Sequence, residues 1–427
     1  MDGHARHRRG AGSAYRADAC ARRGPHGTGQ AQPMSDDIEF TATARETDRA
    51  LARIDGRIDW LSYLTPTNLD AVAEGFRDSG YKVLPELEYP PIPDDLGALR
   101  SQLLDLPMRQ LGNLDIEALL IEKQRELDRQ IELVRLRGRD GFTMASIDLF
   151  GDVDAALLAV AEKVLEEVPI RDRPTAQRVD AQAFMAAARE AMDSYRAKDP
   201  RFDFEVVEET TPGTHIFTAA GNLHVAFDYT CPSNRVEPLI RHEVGTHTVT
   251  RFNGRCQPLS VLECGLADYD ALQEGIAVLA EYLAGDMPPS RLRVLAARVV
   301  AARMAIDGRP ASEIFAKMRE EYHLRSETAF DTTVRALRGG GMTKDALYLH
   351  GLVDLLAYLA GGGSTEFLFI GKFALKQRAL LERLLDDGFL QPPAIVPDEF
   401  AAPPAKDPIS PIRQMRVEQF YTESTAA

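Results

Sequence analysis

Two histidines five positions apart, His242 and His247, constrain the backbone around them more than any other feature of this sequence. In a regular α-helix, residues four apart share a face, whereas residues five apart point about 140° away from each other. One extra residue in the turn, a π-bulge, returns such a pair to one face. Gly245 lies between the histidines and removes side-chain crowding there. We therefore predict a helix with a distorted turn, which is typical of functional sites.

The residue types around this turn are those of a zinc site. His242, His247 and the downstream Glu274 can supply three ligands to a Zn²⁺ ion. Glu243 can act as general base on a metal-bound water. Glu281, two helical turns after Glu274, is either a fallback ligand or a hydrogen-bond partner for one histidine. This set predicts a metallohydrolase, with peptidase the favoured activity.

Flanking residues predict that both ligand segments are helical. Asn234 and Glu237 form a capping-box pattern ahead of the histidines, and Asn253-Gly254 is a plausible left-handed stop. Asp270 and Gln273 repeat the capping pattern before the third ligand. Small residues in that second helix would let it approach the first closely.

A small sheet is predicted beside the metal helix. A strand-like stretch covers 224–229, and an earlier one lies near 215–218. An extended peptide can pair along such a strand edge, which suits a peptidase. Most other segments have helical patterns: 46–63, 111–137, 152–168, 181–198, 289–306, 311–322, 344–360 and 372–386. The predicted fold class is α+β, mainly helical, with a zincin-like metallopeptidase core.

Four regions are predicted along the 427 residues. Residues 1–33 are rich in arginine, glycine and histidine, and we expect a disordered tail or a mis-assigned start, with Met34 the more natural first residue. An N-terminal helical region covers 34–200, and a zincin-like catalytic region covers 201–390. The last segment, 391–427, is expected to be a proline-rich tail.

Charge and composition exclude several classes of partner. The net charge of −15 argues against nucleic-acid binding and against attachment to an anionic membrane surface. No apolar run reaches the length of a transmembrane helix. The four cysteines show no Cys-x-x-Cys pairing, so a reducing cytoplasm is expected. The oligomeric state stays open.

Sequence motifs extend well beyond the histidines. They include Arg241-His242-Glu243-Val244-Gly245-Thr246-His247, Phe252-Asn253-Gly254, Gln257-Pro258-Leu259, Gly265-Leu266-Ala267 and Gln273-Glu274-Gly275-Ile276-Ala277-Val278. With two further runs, 335–340 and 343–351, they resemble the QEGLA-motif family over about residues 50–390. Bacterial members are named flavohemoglobin expression-modulating proteins, and animal relatives include the microtubule-associated tyrosine carboxypeptidases. Ile276 stands where the family usually has leucine.

The resemblance implies a zinc carboxypeptidase that acts on a peptide or protein C-terminus. Position by position, it implies His242, His247 and Glu274 as zinc ligands and Glu243 as the catalytic base. The animal relatives remove a C-terminal tyrosine from tubulin. Which terminal residue this chain would remove stays open.

The segment 335–350 is the expected source of the remaining site residues. Arg335, Arg338 and Lys344 can hold a substrate carboxylate, arginine being suited to a bidentate grip. Tyr348 or His350 can donate a hydrogen bond to the oxyanion. The opposing interpretation makes these arginines surface ion pairs and Tyr348 a core residue.

Two alternative functions stay open at this point. One is a zinc amidohydrolase that acts on a non-peptide amide. The other is a non-catalytic regulatory protein that retains the metal site for stability. All four residues of the predicted centre are present, which argues against an inactive relative.

Overall fold

A computed structural model describes residues 40–171, 176–210, 216–401 and 408–422. The described residues belong to one compact unit. The tail predicted over 1–33 lies outside the described residues. The boundary predicted at residue 200, between a helical and a catalytic region, stays a prediction.

The fold is mainly helical, as predicted, and the described residues form two small sheets. In the described ranges the α-helices are α1 (Ala42–Asp55), α2 (Trp60–Tyr63), α3 (Leu69–Asp78), α4 (Leu96–Leu104), α5 (Leu114–Arg135), α6 (Phe142–Phe150), α7 (Ala155–Glu167), α8 (Ala181–Lys198), α9 (Val236–Ile240), α10 (Val249–Arg255), α11 (Val261–Cys264), α12 (Asp270–Leu283), α13 (Pro289–Ile306), α14 (Ala311–Ala316), α15 (Ser326–Leu337), α16 (Leu347–Ala360) and α17 (Arg378–Asp386).

The strands of the described ranges form two separate ladders. They are β1 (Arg178–Asp180), β2 (Val206–Glu209), β3 (Ile216–Ala219), β4 (Asn222–Ala226) and β5 (Thr230–Pro232). β1 pairs antiparallel with β5. In the larger sheet β4 is central, parallel to β2 and antiparallel to β3. β3 is therefore an edge strand, and it lies against the segment that carries the two histidines.

Two helices cross closely enough to need glycine at the crossing. A Cβ on Gly351 of α16 would lie 1.7 Å from the carbonyl oxygen of Ala271 in α12. A Cβ on Gly275 of α12 would lie 2.4 Å from the carbonyl oxygen of Gly351. Only a residue without a Cβ permits this backbone approach. The crossing brings α16 beside the part of α12 that carries Glu274.

Some local signals in the sequence gave wrong boundaries. Asn253-Gly254 does not stop the helix, because α10 continues to Arg255 with Gly254 inside it. Gly254 instead permits close packing, since a Cβ there would lie 2.1 Å from the Leu262 carbonyl oxygen. Asn234 lies in a 3₁₀ turn and does not cap α9. Neither Asp270 nor Gln273 caps α12, because both side chains bond elsewhere.

Candidate metal centre

The segment that carries the histidines is a π-helix, Arg241–Thr248, inserted between α9 and α10. This confirms the distorted turn predicted from the five-residue spacing. The extra residue per turn brings His242 and His247 to the same face, with ring centroids 5.1 Å apart and planes at 81°. Gly245 faces the Tyr195 hydroxyl, 3.3 Å from where its Cβ would lie.

The two rings and Glu274 converge on one point. Glu274 Oε2 lies 3.6 Å from Nε2 of His242 and 3.9 Å from Nε2 of His247. Atoms bound to one tetrahedral ion at about 2.0–2.2 Å lie roughly 3.3–3.6 Å apart, close to these separations. Glu274 Oε2 is buried and has no hydrogen-bond partner among the described residues. Two imidazole nitrogens and a carboxylate oxygen therefore fit a metal ion. In the described ranges, no other cluster of three or more His, Cys, Asp or Glu residues has this arrangement.

Glu281 holds the first histidine. Its Oε1 accepts hydrogen bonds from Nδ1 of His242 at 2.9 Å and from Arg291 at 3.0 Å, and its Oε2 accepts one from Arg235 at 2.6 Å. Burial alone would raise the pKa of Glu281, but Arg291, His242 and Arg235 outweigh burial and hold that pKa well below its usual range. Of the two roles predicted for Glu281, the geometry matches the histidine partner.

The second histidine is held neutral by its surroundings. Burial lowers the pKa of His247 well below its usual value, and the positive charges of His242 and Lys372 lower it further. A neutral imidazole keeps a lone pair on one ring nitrogen, and a metal ligand requires that lone pair. For His242 burial also opposes the charged form, but the hydrogen bond to Glu281 and the charge of Glu243 raise its pKa overall.

Glu243 lies between the edge strand and the ligands. The Thr218 hydroxyl on β3 donates a hydrogen bond to its Oε2 at 2.8 Å, and its Oε1 lies 4.0 Å from Nε2 of His242. Burial raises the pKa of Glu243, while His242 and Thr218 act in the opposite direction. A buried carboxylate with a raised pKa is a stronger base than an exposed one, as a proton-accepting role requires.

Two of the three predicted carboxylate anchors already have partners. Arg335 binds Asp345 through two nitrogens, with Nη2 at 2.8 Å from Oδ1. Lys344 binds Asp270 at 2.8 Å. Burial acts against the charge of Arg335 and Lys344, but Asp345 and Asp270 respectively raise their pKa values above the usual range. Both side chains help to hold the fold around the centre.

Arg338 differs from them. It is 8% exposed, yet its guanidinium forms no hydrogen bond or ion pair in the part of the chain that the structure describes. Burial lowers its pKa, with only partial relief from the nearby Asp345. Arg298 contributes a further guanidinium, 3.9 Å from Asp345 and 3.7 Å from Asp331. The cluster Arg298, Arg335 and Arg338 thus carries three positive charges around one buried carboxylate, that of Asp345.

Tyr348 and His350 take different positions on α16. Tyr348 lies one turn before the glycine crossing, and the Arg298 guanidinium lies 5.5 Å from its ring centroid. Burial and the neighbouring Glu274 raise the pKa of Tyr348 to about 12, so its hydroxyl keeps its hydrogen at neutral pH. His350 is half exposed and lies 3.3 Å from Asp354 on the same helix. The structure does not bring His350 to the centre.

Several residues near the centre were not predicted, because no local sequence pattern identifies them. Lys372 is 9% exposed, and burial followed by the charge of Arg251 lowers its pKa to about 8. It reaches the centre because its backbone bonds to Leu262 and Leu266, a pairing that no local pattern predicts. Thr218 likewise acts through the tertiary position of an edge strand. Thr218 could have been identified only from the register of β3 against β4, which determines which side chains of β3 face Glu243.

Fold and site together define a mainly helical α+β protein whose candidate His-His-Glu metal centre combines two histidines of a π-helix with a glutamate of α12. A protein-family model described as microtubule-associated tyrosine carboxypeptidase matches residues 74–412, and the chain belongs to that family. The resemblance noted in the sequence is thereby confirmed. A search of the curated proteins found no match. None of the helices in the described ranges is long and apolar enough to cross a membrane.

Proposed function

We propose that this protein is a zinc-dependent metallopeptidase of zincin-like type that removes the C-terminal residue of a peptide or protein. The observation that carries the proposal is the buried Glu274 Oε2, which faces both histidine Nε2 atoms and lacks a hydrogen-bond partner in the described residues. A carboxylate withdrawn from water without a partner is costly, and a cation at this point removes that cost. The family supplies the carboxypeptidase part of the proposal.

His242, His247 and Glu274 would hold the ion. Three protein ligands from His and Glu are typical of catalytic zinc sites, whereas structural sites use four and favour cysteine. When bound, zinc polarises a carbonyl group and lowers the pKa of a water molecule. Glu281 fixes His242 through Nδ1, which leaves Nε2 of that ring directed at the centre.

Glu243 is the proposed general base. Thr218 donates to Oε2, so Oε1, on the side of His242, is the oxygen available for a proton. That oxygen would take a proton from the attacking water and later transfer it to the leaving amine. β3 pairs only with β4 among the described strands, so its other edge is available to an extended substrate.

Tyr348 and Arg338 complete the proposed site. The Tyr348 hydroxyl remains a donor at neutral pH, as hydrogen bonding to a developing oxyanion requires. Arg338 is the favoured anchor for the substrate carboxylate, because Arg335 and Lys344 already bind carboxylates of the chain itself. A buried guanidinium without a partner gains most from an anionic ligand.

Metal analysis tests the proposed centre directly. We expect the purified wild type to contain one equivalent of zinc, and His247→Ala and Glu274→Ala to lose it. His224→Ala is a matched control, because His224 lies on β4 and binds Glu209 at 2.6 Å, outside the ligand set. Retention of a full equivalent by His247→Ala or Glu274→Ala would show that the ligands have been assigned wrongly.

A further inference from the structure

Gln273 immediately precedes the ligand Glu274 and is almost fully buried, with 2% exposure. Its Oε1 lies 2.7 Å from the Thr250 hydroxyl oxygen. Its Nε2 is buried and has no hydrogen-bond partner among the described residues. The same Thr250 hydroxyl oxygen lies 3.3 Å from the His247 carbonyl oxygen, so the amide lies beside the turn that carries His247, and a hydrogen bond with Gln273 acts on the pKa of the His247 ring. A buried amide nitrogen with two hydrogens and no acceptor requires an explanation.

The hydrogens at Thr250 do not match this orientation of the amide. The Thr250 hydroxyl has one hydrogen, and the Thr246 carbonyl oxygen at 2.7 Å accepts it in the usual bond to the preceding helical turn. No hydrogen is then left for Oε1 of Gln273. The two ends of an amide have nearly the same shape, so their assignment follows from the hydrogen-bond network. A half-turn of the amide places Nε2 against the hydroxyl as donor and frees Oε1.

His247 needs the acceptor that this half-turn provides. Its Nε2 faces Glu274 and is therefore the nitrogen that would bind the ion. In a neutral ring the other nitrogen, Nδ1, then carries the hydrogen and requires an acceptor. If Nε2 of Gln273 faced the ring instead, its N–H would point at the N–H of His247 Nδ1. The neutral ring could avoid this only by carrying its hydrogen on Nε2, which would then be unable to bind the metal.

We propose that Gln273 is a positioning residue whose amide oxygen accepts the hydrogen of His247 Nδ1 while its amide nitrogen donates to Thr250. The contact fixes the ring in the tautomer that presents Nε2 to the ion. Glu281 does the same for His242, but with a charged carboxylate bound to two arginines. This inference rests on the proposed metal centre.

Zinc affinity, measured by competition with a chromophoric chelator, tests the inference. Gln273→Leu keeps the volume but removes the acceptor, and we expect zinc binding about 10- to 100-fold weaker, as for other lost partners of ligating histidines. Gln273→Glu keeps an acceptor for Nδ1 and should recover much of the affinity. The control is Gln257→Leu, since Gln257 is also buried but binds the backbone of Ile370 and Gln391. That variant should lose stability and keep its zinc affinity.

The possible outcomes separate the inference from the function on which it rests. Wild-type affinity in Gln273→Leu, or equal losses in Gln273→Leu and Gln273→Glu, would overturn the role of Gln273 and leave the metal centre intact. A wild type that binds no zinc would overturn both. If Gln273→Leu does not fold, as judged by circular dichroism, Thr250→Val replaces it. That variant removes the oxygen that orients the amide, so unchanged zinc affinity would again contradict the inference.

Discussion

Arg335 and Arg338 are one helical turn apart, but their charges are balanced differently. Arg335 binds the buried Asp345 through two hydrogen bonds, whereas Arg338 has no partner among the described residues. Removing one member of a buried pair leaves the other charge uncompensated and destabilises the fold. Arg338 forms no hydrogen-bonded pair of this kind, and its removal still leaves Asp345 with its main partners, Arg335 and Arg298. The two arginines can therefore be separated by experiment into a structural role and a binding role.

We predict that Arg338→Ala raises KM for peptides with a free C-terminus. Loss of a charge-assisted contact worth about 1.5–3 kcal/mol corresponds to a roughly 10- to 150-fold weaker interaction. Zinc content and resistance to urea should be unchanged. Arg335→Ala should instead lower the free energy of unfolding, because Asp345 loses its bidentate partner. Steady-state kinetics gives KM for both variants, and urea denaturation gives their free energies of unfolding. Equal KM values for Arg338→Ala and wild type would place the carboxylate pocket elsewhere.

Asp345 makes a pH-dependent contribution to stability. Burial would raise its pKa above the usual 3.8, but Arg335 and Arg298 outweigh burial and hold the pKa far below that value. Because the folded-state pKa is depressed, the contribution is complete above pH 3.8 and is lost as the pH falls below it. We predict that Asp345→Asn costs about 3 kcal/mol at neutral pH.

Urea denaturation of wild type and Asp345→Asn at a series of pH values measures this contribution. The difference in free energy of unfolding should be constant from neutral pH down to about pH 4 and should shrink below that. A difference that grows as the pH falls would show that Asp345 is not ionised in the folded protein.

Among the elements, the crossing of α12 and α16 determines where Glu274 lies relative to Tyr348. We predict that Gly351→Ala destabilises the fold by at least about 2 kcal/mol, because its Cβ would overlap the Ala271 carbonyl oxygen and separate the helices. Zinc affinity should fall as well, since α12 carries Glu274, the third proposed ligand. Urea denaturation and chelator competition measure the two effects.

Gly361→Ala is the matched control for this prediction. Gly361 follows α16 with a φ of −73°, and a Cβ there meets no atom closer than 3.5 Å. Alanine should therefore be neutral or slightly stabilising at this position. Equal stabilities for the two variants would show that the crossing tolerates separation.

For two helices, the sequence pattern predicted both the first and the last residue correctly. The sequence pattern gave α8 as 181–198 and α13 as 289–306, and both match. The π-helix was predicted because only a widened turn brings His242 and His247 together. The capping boxes were wrong for a different reason. Asp270 and Gln273 have the residue types of a cap, but Lys344 and Thr250 bind their side chains instead.

At the scale of the whole molecule, the candidate site combines residues that the sequence predicts with residues that only the fold provides. His242, His247, Glu274 and Glu243 were predicted from spacing, side-chain chemistry and the family resemblance, with Glu281 kept open as an alternative ligand. Thr218, Arg298 and Lys372 come from an edge strand, from α13 and from the segment before α17. Their roles depend on long-range packing, which leaves no trace in local sequence patterns. The same packing decides which of the basic residues 335, 338 and 344 lacks a partner.

We propose that the metal centre hydrolyses the C-terminal peptide bond of a substrate with a free carboxylate. Mass spectrometry of a peptide library, with each sequence present as free acid and as C-terminal amide, tests this claim most directly on the zinc-loaded protein. We predict loss of a single C-terminal residue from free-acid peptides and none from their amides. Glu243→Gln, with zinc retained, should be slower by about 10²- to 10⁴-fold. Equal cleavage of acids and amides, or wild-type turnover by Glu243→Gln, would contradict the account.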